Sequence, residues 1–153
     1  LIVLAKHALS AAVLSQAMRS REIHRTYQAF ALGETAASGT IDAPIARLDG
    51  SLIQRTVDFA SGERSVTPLP HPRALLVFSH LELNLETGRT HQIRVHMAYI
   101  GHPLLGDTLY NKTPGTFPRQ ALHSASLSFV HPITGEPLNF HAPLPEDMQN
   151  LLT

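Results

Sequence analysis

Residues 81–110, LELNLETGRTHQIRVHMAYIGHPLLGDTLY, constrain the fold more than any other stretch of the chain. Apolar Leu81, Leu83 and Leu85 alternate with polar Glu82, Asn84 and Glu86, which predicts a strand with one buried face. Thr87-Gly88 ends that strand. Beyond it Ile93, Met97 and Ile100 fall on one face of a helix, and Gly101 with Pro103 supplies the stop. Strand, glycine turn and helix therefore follow in close order. The turn and first helical turns concentrate Arg89, Thr90, His91, Gln92, Arg94 and His96. A helix start carries unpaired N–H groups and a partial positive charge, and arginines add forked donors, so this segment suits a phosphate or a carboxylate. The alternative is a polar helix start whose arginines stand in solvent.

Length and composition bound the rest. A chain of 153 residues suits one domain with a real core, and 43% hydrophobic against 16% charged residues are globular values. The absence of cysteine excludes a disulfide framework and a thiolate metal site. No stretch is apolar for the length of a membrane helix and no basic-then-apolar leader is visible, so the sequence reads as soluble and cytoplasmic. The formal net charge is zero, which gives no global basic field. Arginine nevertheless outnumbers lysine ten to two, and arginine is the residue suited to bidentate phosphate contact and base stacking. A local basic patch is the reading that fits both facts.

Taken in order, residues 1–5 (LIVLA) read as a buried strand entered midway, as though the sequence were a piece of a longer polypeptide. Residues 7–21 read as a helix with Leu9, Val13, Ala17 and Met18 on one face; Arg19 and Arg21 then suit its negative pole. Residues 24–32 alternate as a strand closed by Gly33, followed by a small polar loop over 34–40. Asp49-Gly50 marks a turn before an alternating run over 51–59, and Ser61-Gly62 marks another. Three prolines make 67–72 an extended connector, after which 73–79 begin the strand that enters the central stretch. Residues 122–130 and 138–140 read as strands, and 145–152 as a short helix with Pro145 at its first position.

ETGRTHQIRVHMAYIGHPLLGDTLY resembles the signature of the RluA-class pseudouridine synthases, which isomerise uridine in ribosomal and transfer RNA. REIHRTYQAFALG, IDAPIARL and RQALHSASLSFVHPITGEPLNFHAPLP resemble three further segments of that family, so the likeness spans nearly the whole chain. It implies an α+β fold, the pseudouridine synthase fold, with a mixed and mostly antiparallel sheet flanked by helices. It further implies one catalytic domain over residues 1–153, incomplete at its N-terminus, that acts on RNA without metal or organic cofactor and off the membrane; the sequence leaves the oligomeric state unknown, with a monomer the expectation. Isomerisation needs a carboxylate near the sugar, an arginine to hold it, a ring against the uracil and apolar walls. By resemblance Arg94 pairs with the catalytic aspartate, and Tyr27 stacks on uracil and accepts the C5 proton. Arg89, Thr90, His91 and Gln92 line the same site, Arg47 meets substrate, and Leu122 is an apolar wall. The reading of Tyr27 as a ring packed on a strand, and of Arg47 as a solvated side chain, stays open beside these roles.

One part of the pattern is displaced. In the family the aspartate sits in a His-Arg-Leu-Asp motif shortly upstream of a strand that Leu1-Ile2-Val3-Leu4-Ala5-Lys6 resembles, so the nucleophile is expected before Leu1. Arg47-Leu48-Asp49 looks similar but comes after Tyr27, the wrong order, which rejects Asp49. Residues 1–153 alone are then expected to release no tritium from RNA labelled at uridine C5, whereas an upstream-extended chain does. Two other classes compete. An RNA-binding module without chemistry would use Arg89, Arg94, Arg47 and Arg55 to grip the backbone and bind in a salt-dependent way. A metal enzyme would use His91, His96 and His102, but His91 and His96 lack the i, i+4 spacing and intervening Glu of a zinc helix.

Overall fold

The structure is a computed structural model that describes residues 1–35, 38–70, 72–75 and 77–153. Twelve elements follow in order: α1 (Ala8–Arg19), β1 (His24–Leu32), β2 (Gly39–Asp42), β3 (Ile45–Arg47), β4 (Arg55–Val57), β5 (Val66–Leu69), β6 (Arg73–Leu75), β7 (Phe78–Asn84), α2 (Gln92–Tyr99), β8 (Leu122–Val130), β9 (Pro137–His141) and α3 (Glu146–Gln149). Five strands form the main sheet in the order β6-β7-β1-β8-β9, and β2-β5 and β3-β4 form two small ribbons. All the pairings among the described residues are antiparallel. This is the α+β class expected, with helices on both faces of the sheet.

β1 holds the centre because both of its faces are apolar. Ala29, Phe30 and Ala31 are each fully buried. Ala29 and Ala31 face Leu81, Leu83, Ile93 and Met97, together with Ile41, Ala43 and Leu69 from the β2 region. Phe30 points the other way, into a cluster with Ala121 and Met148, and stacks on His80 with ring centroids 4.7 Å apart. A strand covered on both sides stops alternating, and the period-two pattern of β1 blurs where the two layers meet over it.

The pairing of β1 with β8 contains a bulge. Thr26 lies opposite Ser126 and Tyr27 opposite Ser124, so Ala125 is the extra residue. Without it Leu122 and Leu127 would point to opposite faces, since they are five residues apart on a period-two element. With it both lie on the face of Tyr27: Leu122 joins the α2 side of the core, and Leu127 packs with Phe129, Ile23 and Leu14 under α1.

Five expectations are corrected. Residues 1–5 form no strand; Leu1, Ile2 and Leu4 are exposed and only Val3 packs, because β7 and β8 already flank β1 and β9 flanks the far side of β8. α1 buries Ser10 and Leu14, with Ala17 beside them, while Leu9, Val13 and Met18 face outward. In place of one strand over 73–79 there is an antiparallel pair, with Leu75 opposite Phe78. Part of the proline-rich connector is a paired strand, with Pro68 opposite Thr40 in β5–β2; Pro145 is the N-cap of α3 and Glu146 its first residue. Ala36 and Ala37 of the expected 34–40 loop, His71 of the connector and Leu76 of the strand lie outside the described residues.

Candidate active site

β7 ends at Asn84, and the chain then turns through 85–91 into α2. One side chain organises that turn. Gln92 is 2% exposed; its Oε1 accepts from the Thr87 hydroxyl at 2.7 Å and the Arg89 N–H at 3.0 Å. Its Nε2 donates to the Val66 carbonyl at 2.9 Å and to Thr67 Oγ1 at 3.0 Å. An amide offers two donors and has two acceptor positions, so all four are engaged and Gln92 ties the turn to β5. It is a bracket for the turn, its side-chain hydrogen-bonding positions all taken by described residues.

His91 occupies the N-cap of α2 with φ of 58°, in the left-handed region, and gives the helix no side-chain cap. Its Nδ1 lies 2.8 Å from the Tyr110 hydroxyl, whose oxygen accepts the Arg55 N–H at 2.9 Å. With the oxygen accepting from Arg55, the Tyr110 O–H is free to donate to Nδ1, an assignment that makes His91 the Nε2–H tautomer. Burial, then the cations Arg94 and Arg55, push the His91 pKa down, so the ring is neutral at neutral pH.

Arg94, one turn into α2, meets a carboxylate that the sequence reading did not assign. Its Nε and Nη2 donate to the two oxygens of Asp107, each at 2.7 Å, a bidentate fork. Asp107 is fully buried, and its Oδ1 also accepts the N–H groups of Leu109 and Tyr110 at 3.0 and 3.2 Å. Burial alone would raise the Asp107 pKa; the hydrogen bonds and charge of Arg94, with the two backbone N–H groups, outweigh it and hold the carboxyl below its ordinary value. The same contact raises the Arg94 pKa. Asp107 is brought in by Gly106, at φ of 69°, where any side chain would collide with the carbonyl of Arg119. The guanidinium of Arg94 also sits over the Tyr110 ring, 4.9 Å from its centroid. No described residue bonds Arg94 Nη1.

Three elements converge on one narrow cleft of about 190 Å³. β1 supplies Tyr27, α2 and the turn before it supply Arg89, His91, Gln92 and Arg94, and β8 supplies Leu122; six of the eight expected site residues therefore meet. Arg25 and Leu85 line it too, and were not anticipated. Thr90 and Arg47 stand outside, in an adjoining cleft with Arg55, Glu63 and Arg89. In β3–β4 Arg47 lies directly opposite Arg55, a like-charge pair that costs stability unless an anion sits between or near them. A third cleft, with Arg19, Arg21 and Arg64, shares Arg25, Gly88 and Arg89 with the first. The three are joined at Gly88 and Arg89.

The three histidines weighed as a metal set face different partners. His91 bonds Tyr110, His96 is buried between Thr67 Oγ1 and the Ala43 carbonyl at 2.8 Å each, and His102 bonds the Leu32 carbonyl at 2.9 Å. Among the described residues no group of three or more His, Asp or Glu is placed to share an ion. No helix among them is long and apolar enough to cross a membrane. Asp49 lies on the exposed turn between β3 and β4 and does not line the Tyr27 cleft.

A family model described as RNA pseudouridylate synthase matches residues 1–99. The chain is 48% identical over 153 residues to "Uncharacterized RNA pseudouridine synthase YjbO" of Bacillus subtilis, covering 99% of this chain and 54% of that protein. It is 43% identical over 164 residues to "Ribosomal large subunit pseudouridine synthase D" of Vibrio cholerae, covering 97% of this chain and 50% of that one. The chain thus spans about half the length of the curated relatives it matches. Among solved structures, human RNA pseudouridylate synthase domain containing 4 superposes with a TM-score of 0.75 over 99% of this chain and 69% of that one, at 22% identity, which is a likeness of fold. The matched residues include Tyr27 and Arg94, the pair that the cleft brings together, and the chain belongs to the RluA class of the RNA pseudouridylate synthase family.

Proposed function

We propose that the protein isomerises uridine to pseudouridine in ribosomal or transfer RNA, with residues 1–153 forming its catalytic domain. The observation that carries this is the convergence of Tyr27, Arg94 and Leu122, from three separate elements, on one narrow cleft that opens into arginine-lined clefts on either side. The reaction breaks the N1–C1′ bond, turns the uracil and joins C5 to C1′, while C5 loses a proton and N1 gains one. The base must first leave the stack, at a cost of about a few kcal/mol. A small cleft with an aromatic ring and the leucines Leu85 and Leu122 offers a flat ring the apolar contacts that offset that cost.

In this reading Tyr27 lies against the uracil and its hydroxyl, which no described residue hydrogen-bonds, takes the C5 proton. Arg94 is oriented from behind by Asp107 and presents Nη1 to a carboxylate near the sugar. Asp107 is not that carboxylate: it is fully buried and both its oxygens are engaged. No Asp or Glu lines the cleft among the described residues, so none of them is assigned as the nucleophile. Arg89 and His91, with Thr90 and Arg47 in the adjoining cleft, serve the RNA backbone. The reading needs no metal or organic cofactor, and it places the protein with its RNA in the cytoplasm as a monomer, a state that light scattering reads directly.

The test is tritium release by the intact protein from ribosomal and transfer RNA transcripts labelled at uridine C5. Release is expected, and Tyr27→Phe, which keeps the ring, lowers kcat by about 10²–10⁴-fold, the usual worth of a positioned proton acceptor. Salt-dependent RNA binding by the intact protein with no release from any transcript would leave an RNA-binding module and overturn the proposal.

A further inference from the structure

Arg25 stands where the Tyr27 cleft meets the cleft of Arg19, Arg21 and Arg64, and it lines both. It lies two residues before Tyr27 on β1, hence on the same face of the strand. Its guanidinium rests flat on Gly88: a Cβ at that position would lie 2.8 Å from Arg25 Cζ and 2.5 Å from Nη1. The glycine therefore seats the guanidinium at the junction.

The neighbours of Arg25 are occupied. Arg21 pairs with Glu86, Arg89 with Glu63 and Arg94 with Asp107. Arg25 pairs with no described acid and makes no hydrogen bond to a described residue, and its Nε is buried without a partner. A half-buried cation left unpaired costs stability by itself. A fork of unused donors, held flat at the mouth of a base-sized cleft, matches the geometry of a phosphate.

We propose that Arg25 grips the phosphate next to the nucleotide held in the Tyr27 cleft, with Gly88 as its seat. This rests on the reading that the cleft takes a uridine of RNA. It gives Arg25 a part distinct from that of Arg94: Arg25 fixes the strand at the point where the flipped nucleotide leaves it.

The test uses the intact protein, a ribosomal RNA transcript labelled at uridine C5, and two readouts, the salt dependence of binding and the kinetics of tritium release. Arg25→Gln is expected to raise KM about tenfold, the worth of a charge-assisted contact, with the smaller effect on kcat. The slope of log Kobs against log salt should fall by about 0.7–0.9, one phosphate contact. Arg25→Lys should restore the slope, because the charge remains. Gly88→Ala keeps every charge but displaces the guanidinium, a flexible chain end, and should reproduce the Arg25→Gln phenotype. The double variant Arg25→Gln/Gly88→Ala should then be no worse than Arg25→Gln alone.

Wild-type slope and KM in Arg25→Gln would overturn the proposal. So would additive losses in the double variant, or a lower Tm without RNA accompanied by an unchanged slope, which would assign Arg25 to a carboxylate of the protein. A wild-type protein that binds RNA but releases no tritium would instead sink the catalytic reading, and the salt slope would still decide the part played by Arg25.

Discussion

Arg94 uses two nitrogens on Asp107, and its third, Nη1, bonds no described residue. Its orientation is therefore set by Asp107, a fully buried carboxylate. Asp107→Asn should lower unfolding stability by about 3–5 kcal/mol, the cost of breaking a buried pair from one side, as read by urea denaturation. The Asp107 pKa is lowered in the folded state, so its contribution is fully present above the ordinary aspartate range near 3.9 and is lost as pH falls through its depressed value. His91 is a base whose folded pKa is lowered, so the unfolded chain binds its proton first; stability falls as pH drops through about 6.5, the unfolded value. A Tm profile should therefore descend in two steps on acidification; His91 shares the upper one with His80 and His96, whose pKa values burial also lowers, and His91→Gln should shrink it. The pairing with Asp107 was illegible in the sequence because thirteen residues and a loop separate it from Arg94. The fragment Gly106-Asp107-Thr108 could have been read as a turn, since Asp commonly accepts backbone N–H groups two and three residues on.

At the scale of elements the legible parts were those with clean punctuation. β1 runs over His24–Leu32 as the alternation and Gly33 predict, and α2 ends beside Gly101, at φ of 86°. β8 was equally plain in extent. Its bulge was not, since Ala125 interrupts no pattern that a single strand displays. The β6–β7 hairpin was missed for a related reason: residues 74–78, Ala-Leu-Leu-Val-Phe, are an apolar run with none of the Gly, Pro, Asn or Asp that mark a turn. α1 was found but rotated, because an alanine- and leucine-rich helix offers more than one apolar stripe and only its contact with Ile23, Leu127 and Phe129 chooses between them. That choice is measurable. Leu14→Ala should cost about 2–3 kcal/mol, whereas Leu9→Ala, at a position 66% exposed, should stay within about 0.5 kcal/mol by chemical denaturation. Equal losses would mean that α1 sits on the face the sequence suggested.

Over the whole molecule the formal charge cancels, yet it is not spread evenly. Eight of the ten arginines line the three joined clefts against two glutamates, Glu63 and Glu86, and ten of the twelve acids lie elsewhere. The zero net charge read from composition was correct, and it concealed this partition, because a sum keeps no positions. A body with no net charge but separated halves feels little pull in the field of a polyanion; it feels a torque. Beyond about a Debye length, roughly 10 Å at 0.1 M salt, nothing draws this protein toward nucleic acid. Within that distance it is turned, arginine-lined clefts first, before it is held. On the proposed RNA substrate, such a charge layout would trade speed of encounter for brevity of wrong ones, the protein lingering only where the arginine-lined clefts arrive first.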